Sequence, residues 1–219
     1  MFEVLYTHSP EIGGWSREAF RVLLGYLFVS DAFTMTFLGQ MWRLGRDLKD
    51  GKLDPYRVRP ASALFLYAFN QFSLEGCLNM LVASGYLVYA LIRALPQIHA
   101  GTVLVALAAV ALSFWVRFVV VALFSLLELV AIGADASRFL QDLLYATNDR
   151  PLDIFERRFR LFLIYVVPIG GLAHVPASIV LGRYSWLEAL FAVAWLLALG
   201  LLVFGAWRRG FRRYESAMG

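Results

Sequence analysis

Residues 102–132 read TVLVALAAVALSFWVRFVVVALFSLLELVAI. Within these 31 residues Arg117 and Glu128 are the only ionisable side chains. As a helix rising 1.5 Å per residue the stretch extends about 46 Å, more than the roughly 30 Å of a bilayer's hydrocarbon core even with a substantial tilt. It is either one helix projecting from a membrane or two short ones meeting near Arg117. The rest of the chain has the same character, with 60% of its 219 residues apolar and 16% charged, and a mean hydropathy of +0.66. A soluble domain has roughly 45–50% apolar and about 25% charged residues, so that class is excluded. At roughly 20 apolar residues per pass, the predicted fold is all-α, a polytopic transmembrane helical bundle of about five passes. Residues 1–219 form one domain, with no space for an ATPase, kinase or receptor domain.

On either side of that stretch the loops supply the orientation. Met1–Trp15 carries Glu3 and Glu11 but no Lys or Arg, and so lacks the basic region of a signal peptide. The first apolar stretch, Ala19–Met41, is interrupted by Asp31 and Gln40 and followed by Trp42, an interfacial aromatic. In Arg43–Pro60, Arg43, Arg46, Lys49, Lys52, Arg57 and Arg59 outnumber Asp47, Asp50 and Asp54, which predicts a cytoplasmic loop and an external N-terminus. Ala61–Leu95 reads as the second pass, polar on its cytoplasmic half, and Pro96–Gly101 as an external turn. Gly133–Arg160 is mixed and amphipathic. Leu161–Leu181 is apolar but broken by Pro168, Gly170, Gly171 and Pro176, which makes it a kinked pass or a re-entrant hairpin. Trp186–Trp207 is unbroken and ends in Arg208, Arg209, Arg212 and Arg213, which places the C-terminus inside. An external start and an internal end require an odd number of passes, and five fits.

No constellation for catalysis emerges: there is no glycine-rich phosphate loop, no His pair at metal spacing and no nucleophile with its base. His8, His99 and His174 lie far apart without a carboxylate at helical spacing, and the single Cys77 excludes an intrachain disulfide or redox pair. No catalytic residue, metal or cofactor is expected. The net charge of +4 and pI near 9.4 belong to cytoplasmic loops, so the expected surroundings are membrane lipid, not nucleic acid. Asp31, Glu75, Arg117 and Glu128 each cost on the order of 2.5–3.5 kcal/mol at mid-bilayer and should face protein or water. They either line a path or, for Arg117 and Glu128, sit near interfaces or in structural pairs. Asn70, Gln71, Glu75 and Asn79 recur at spacings of three to five residues, a polar stripe that is the candidate substrate path. Trp42, Leu44, Leu48 and Leu53 alternate with charges, so that a short helix would present leucines on one side and Arg43, Arg46, Asp47 and Lys49 on the other. Gly51 ends it and Asp54-Pro55 begins a turn. This is a docking helix or a solvated loop.

Gly51-Lys52-Leu53-Asp54-Pro55-Tyr56-Arg57-Val58-Arg59-Pro60 resembles the cytoplasmic loop of bacterial ABC-2 type permeases, approximately G-x-L-D-x-x-L-x-R-P. Further matches are Gly13-Gly14-Trp15-Ser16, Arg150-Pro151-Leu152-Asp153-Ile154-Phe155, Val175-Pro176-Ala177-Ser178 with Leu181-Gly182, and Arg212-Arg213-Tyr214-Glu215-Ser216-Ala217. The resemblance implies an exporter subunit in a bacterial cytoplasmic membrane, non-catalytic in itself. It would work with a second permease subunit, identical or not, and with separate ATP-binding cassette subunits that hydrolyse ATP. It also implies a coupling role for Arg43, Leu44, Leu48, Leu53, Asp54, Arg57 and Arg59. Family members usually begin with a basic segment and one further helix, neither of which precedes Gly13. The expectation is a natural start upstream of Met1, or a shortened subunit working beside a full-length one. The competing expectation is a small membrane scaffold, enzyme or assembly factor without ATPase coupling.

Overall fold

The computed structural model describes residues 6, 10–57, 62–95, 99–130, 136–147 and 150–213. At its start, Glu11–Ile12 (β1) and Trp15–Ser16 (β2) pair antiparallel across Gly13 and Gly14, whose φ values of 59° and 76° are the left-handed conformation open to glycine. Ser16 then caps α1, Arg17–Phe33, its hydroxyl accepting from the Ala19 N–H at 3.3 Å. The helix continues through a π turn, Thr34–Leu38, and a 3-10 turn, Gly39–Arg43. At that junction the hydroxyls of Thr34 and Thr36 donate to the carbonyls of Ser30 and Ala32, competing with backbone N–H groups for those acceptors.

Two short helices follow, α2 (Leu44–Lys49) and α3 (Asp54–Arg57), and then α4 (Ala63–Ala68). The expected second pass is not continuous: the chain breaks at Phe69–Ser73 before α5, Leu74–Ala94. Ser73 secures the break twice, its N–H donating to the Thr36 carbonyl at 3.1 Å and its hydroxyl capping α5 at the Gly76 N–H. Asn70 and Gln71 therefore belong to the break and do not share a helical stripe with Glu75 and Asn79. α5 runs antiparallel along α1, with Gly76 against Thr36 and Gly25 against Leu87. Small residues at such crossings let helix backbones approach where lipid offers no hydrophobic driving force.

Ala100–Val130 is one helix, α6, which decides between the two forms the sequence allows. α10, Trp186–Arg213, lies beside it in the same direction, the Trp115 indole filling the notch at Gly200 and donating to the Leu196 carbonyl at 3.1 Å. Among the described residues, four helices are long and apolar enough to cross a membrane: Arg17–Arg43, Leu74–Ala94, Ala100–Leu127 and Trp186–Phe211.

The apolar run Leu161–Leu181 is not among them. It is divided between α8 (Arg157–Tyr165), a 3-10 turn (Ile169–Gly171) and α9 (His174–Val180). Arg160 before it and Arg183 after it both reach Asp153, while Gly171 at its centre meets Val116 and Leu196. The segment enters and leaves at one end of the bundle, which makes it re-entrant. α7, Ala136–Thr147, reaches from the Phe124–Phe139 ring contact to the neighbourhood of Leu23 and Leu152. Trp15 lies at one end of the bundle and Arg43 with Trp207 at the other, since Trp207 shares a buried cluster with Met41 and Leu44.

A Cβ at Gly76 would stand 2.6 Å from the Thr36 Cα. Gly76→Ala should push α5 off α1 and cost about 1–3 kcal/mol, the usual range for overpacking. Gly85→Ala, on the same helix with nothing within 4 Å, should cost nothing. Thermal midpoints of the two purified variants check this, and equal midpoints would remove the close crossing from the account of the fold.

Candidate coupling surface and translocation path

The loop at the Arg43 end is built around a buried carboxylate. Asp47, on α2, accepts from the Tyr67 hydroxyl at 2.8 Å and from Lys52 Nζ at 3.3 Å. Lys52 also reaches Asp50 at 2.8 Å, and the Tyr56 ring stands edge-on to Tyr67 at 5.6 Å. Gly51, at φ 68°, turns the chain so that Lys52 folds back over α2. Burial, then the bond to Asp47, raises the Tyr67 pKa, and the hydrogen bonds that Lys52 donates to Asp50 and Asp47 raise its own. Both groups keep their donor protons at neutral pH.

Leu44 and Leu53 are 0% and 1% exposed, packed in one cluster with Met41, Leu64 and Trp207. The leucine face that the sequence pattern offers to a partner is thus occupied at these positions by the chain's own core. The opposite face presents Arg43, Arg46, Asp50 and Lys52 to the surroundings, with Asp54 half-buried beside them. The side chains of Leu48 and Arg57, and residue Arg59, lie outside the described residues.

Midway along the bundle, Arg117 is 2% exposed, its Nε donating to the Ser30 hydroxyl at 2.9 Å and its guanidinium pairing with Asp31. The Asp31 side chain is 43% exposed and opens, with Asn79, into a groove of about 440 Å³ between α1 and α5 that Phe28, Met35 and Tyr86 also line. Asn79 donates to Met35 Sδ at 3.6 Å. Asn70, Gln71 and Glu75 are exposed as well, with Glu75 one helical turn from Asn79 on α5. Of the ionisable residues at membrane depth, Arg117 is therefore a structural partner and Asp31 both a partner and a lining group. The side chain of Glu128 lies outside the described residues. The sequence reading missed the pair because its members are 86 residues apart and share no periodicity.

A third polar centre lies at the Trp15 end. Asp153 accepts from Trp15 Nε1 at 2.7 Å and pairs with Arg160, with Arg183 Nη2 at 3.9 Å and His174 Nε2 at 4.0 Å. Arg183 stacks 4.4 Å over the Trp15 ring and donates to the Gly14 carbonyl at 2.9 Å. His174 Nδ1 accepts from the Leu152 N–H at 3.4 Å. Burial, outweighing Asp153, keeps the His174 pKa below its ordinary value, so the ring is neutral at pH 7. No carboxylate lies at helical spacing from His174 in sequence, yet one faces it in the fold. Three segments quoted above for their resemblance, Gly13–Ser16, Arg150–Phe155 and Val175–Ser178, converge on this centre.

Compared with models of known families, residues 1–218 match ABC-2 family transporter protein. Comparison with curated proteins and with solved structures gives no match.

Removing one member of a buried pair strands the other, typically at 3–5 kcal/mol, and the exposures make the two losses unequal. Asp31→Leu leaves a fully buried guanidinium and should lower the folded yield sharply. Arg117→Met leaves a carboxylate that already opens on the groove and should cost less. The double variant should recover part of the loss of Asp31→Leu. Folded yield by size-exclusion profile after membrane extraction reads all three, and a double variant no better than Asp31→Leu would sink the pairing argument.

Proposed function

The chain belongs to the ABC-2 transporter family, a membrane permease component, and from that premise we propose that it exports its substrate when a separate ATPase subunit pushes on the loop at the Arg43 end. The observation that carries this reading is how the loop is mounted. Its apolar side is joined to the ends of α1 and α10 through Leu44, Leu53, Met41 and Trp207, Tyr67 and Lys52 hold its carboxylate, and its charged side is exposed. A rigid handle continuous with two spanning helices transmits a displacement, whereas a solvated loop absorbs it. Among the described residues, Arg43, Arg46 and Lys52 of the loop and Arg208 and Arg209 of α10 lie toward this same end, which supports a cytoplasmic placement. Arginines at the Trp15 end are partly neutralised, Arg160 and Arg183 by Asp153 and Arg21 by Glu18. On this reading Leu44 and Leu53 hold the coupling segment in place, while Arg43, Arg46 and Asp54 with Leu48, Arg57 and Arg59 form or flank its contact with the ATPase.

The path follows the groove. Asp31 and Asn79 open on the flank of the bundle, so a second permease subunit, identical or not, would close the groove into a route past Glu75 and the break at Asn70 and Gln71. A carboxylate 43% exposed at membrane depth is costly against lipid and is accommodated by water or a protein partner. The membrane is the bacterial cytoplasmic membrane on this reading.

Two measurements test it. Arg43→Glu combined with Arg46→Glu should leave membrane insertion intact and reduce co-purification of the ATPase several-fold, because exposed charges steer and orient association. Leu44→Asp should instead lose the folded protein altogether. Unchanged association in the double variant would overturn the docking face. For orientation, cysteines at Asp50 and Ser185 in a Cys77→Ala background should be labelled by an impermeant thiol reagent from the cytoplasmic and the outer side respectively. The reverse pattern would invert the direction of transport.

A further inference from the structure

Between the re-entrant segment and the start of α10, at the Trp15 end, lies a cavity of about 490 Å³, within the usual size range of ligand sites. Its polar wall carries Arg157, Arg160 and Arg183, and Tyr165, Leu187 and Phe191 line its apolar side. Two carboxylates are present. Asp153 is engaged by Trp15 and Arg160, and Glu188 accepts from the Ser185 N–H and hydroxyl, both at 2.8 Å. Three guanidiniums against two carboxylates leave one positive charge in excess. Arg183 is held by Trp15 and Gly14 and Arg160 by Asp153, so two of the three are positioned in advance. The mouth opens onto apolar surface, since Leu187 is 58% and Phe191 60% exposed, with Trp186 and Leu190 beside them. In a bilayer that surface faces acyl chains.

We propose that this cavity binds an anionic amphiphile, with a phosphate-type headgroup among Arg157, Arg160 and Arg183 and an apolar tail along Leu187 and Phe191 on the exposed face of α10. Arginine suits such a headgroup because its planar fork makes paired hydrogen bonds to two oxygens at once. A small anion would use the arginines and leave the apolar side idle, and a zwitterionic lipid would bring a second cation to a site already positive. The site does not depend on the direction of transport or on the docking face. It predicts retention of a lipid at the Trp15 end whether or not the ATPase couples as argued above.

The test uses the full chain, delipidated in detergent and incubated with equal amounts of phosphatidylglycerol and phosphatidylcholine, and native mass spectrometry reads the lipid retained. Phosphatidylglycerol should be retained preferentially. Arg157→Gln, at an exposed position outside the contacts of Asp153, should reduce that preference by about fivefold, roughly what one arginine near an anionic lipid contributes, and Arg157→Lys should restore most of it. The thermal midpoint of each variant without lipid confirms that a folded protein is being compared. Excess inorganic phosphate should displace little of the retained lipid. Equal retention of the two lipids, or a preference that Arg157→Gln leaves unchanged, overturns the site. Complete displacement by inorganic phosphate overturns its amphiphile character and makes it a simple anion site.

Discussion

One carboxylate, Asp153, determines how the chain is threaded. It accepts from Trp15, pairs with Arg160 and lies within 4.0 Å of both His174 and Arg183, which ties the N-terminal hairpin to both ends of the segment between α8 and α10. A broken apolar run can enter a membrane only where protein or water satisfies its irregular backbone. Here the Gly171 N–H donates to the Pro168 carbonyl at 3.1 Å and the Leu172 N–H to the Ile169 carbonyl at 3.0 Å, while Val116 and Leu196 around Gly171, and Leu152 and Ile164 around Gly170, enclose the turn. With both mouths of the run held at one carboxylate, it has to return to the side it came from. The placement of α10 beside the N-terminal hairpin and the cavity lined by Arg157 follow from that attachment.

The parts of this arrangement that were legible in the sequence are those set by local pattern. Long apolar stretches announce α1, α6 and α10 because about 20 apolar residues cross a bilayer whatever surrounds them. The basic clusters mark one end for an equally local reason. Four helices among the described residues are long and apolar enough to cross, and Leu161–Leu181 is not one of them. α7 is short, and its Leu144 packs among Leu112, Val116 and Val120 of α6, a cover that no window of sequence displays. The apolar run after it allows a kinked pass or a re-entrant hairpin, and sequence alone does not say that Arg160 before it and Arg183 after it meet the same carboxylate. Similarly, Ala61–Leu95 read as continuous because Phe69, Phe72 and Leu74 keep its hydropathy high, although Ser73 serves as a helix cap and breaks it. The polar stripe lost Asn70 and Gln71 to that break for the same reason.

The site residues divide along the same line. That Arg43–Pro60 contains a short amphipathic helix was readable from alternation alone. Which face remains free was not, because Leu44 and Leu53 are covered by Leu64 and Trp207, residues distant in sequence. Alternation shows that a helix has an apolar side without showing whether that side meets its own protein or another. Asp31 and Arg117 were recognisable as costly, but a pair 86 residues apart needs the fold to bring it together. His174 is the converse case. Spacing in sequence gives it no carboxylate partner, and in the fold Asp153 lies 4.0 Å from its Nε2.

The three polar centres share a single helix. α1 and its continuation begin next to Trp15, carry Ser30 and Asp31 at mid-length and end at Gln40 and Arg43, beside the loop that Asp47 and Tyr67 close. At each centre a buried polar group is satisfied by a residue from elsewhere in the chain: Asp153 at the first, Arg117 at the second and Tyr67 at the third. Satisfied polar contacts in a low-dielectric interior are specific in geometry, since displacing one member leaves its partner unpaired at appreciable cost. A helix held this way at both ends and at its middle moves as a unit or not at all. That helix and its π and 3-10 continuation run from the hairpin of Trp15 past the groove at Asp31 to the loop. The Asp31–Arg117 pair adds a directional feature, because its cation is enclosed and its anion is open. Arg117 ties the groove to α6 beside two further contacts between the same helices, the Tyr26 hydroxyl donating to the Ala106 carbonyl at 3.2 Å and the Phe33–Phe114 stack at 4.4 Å.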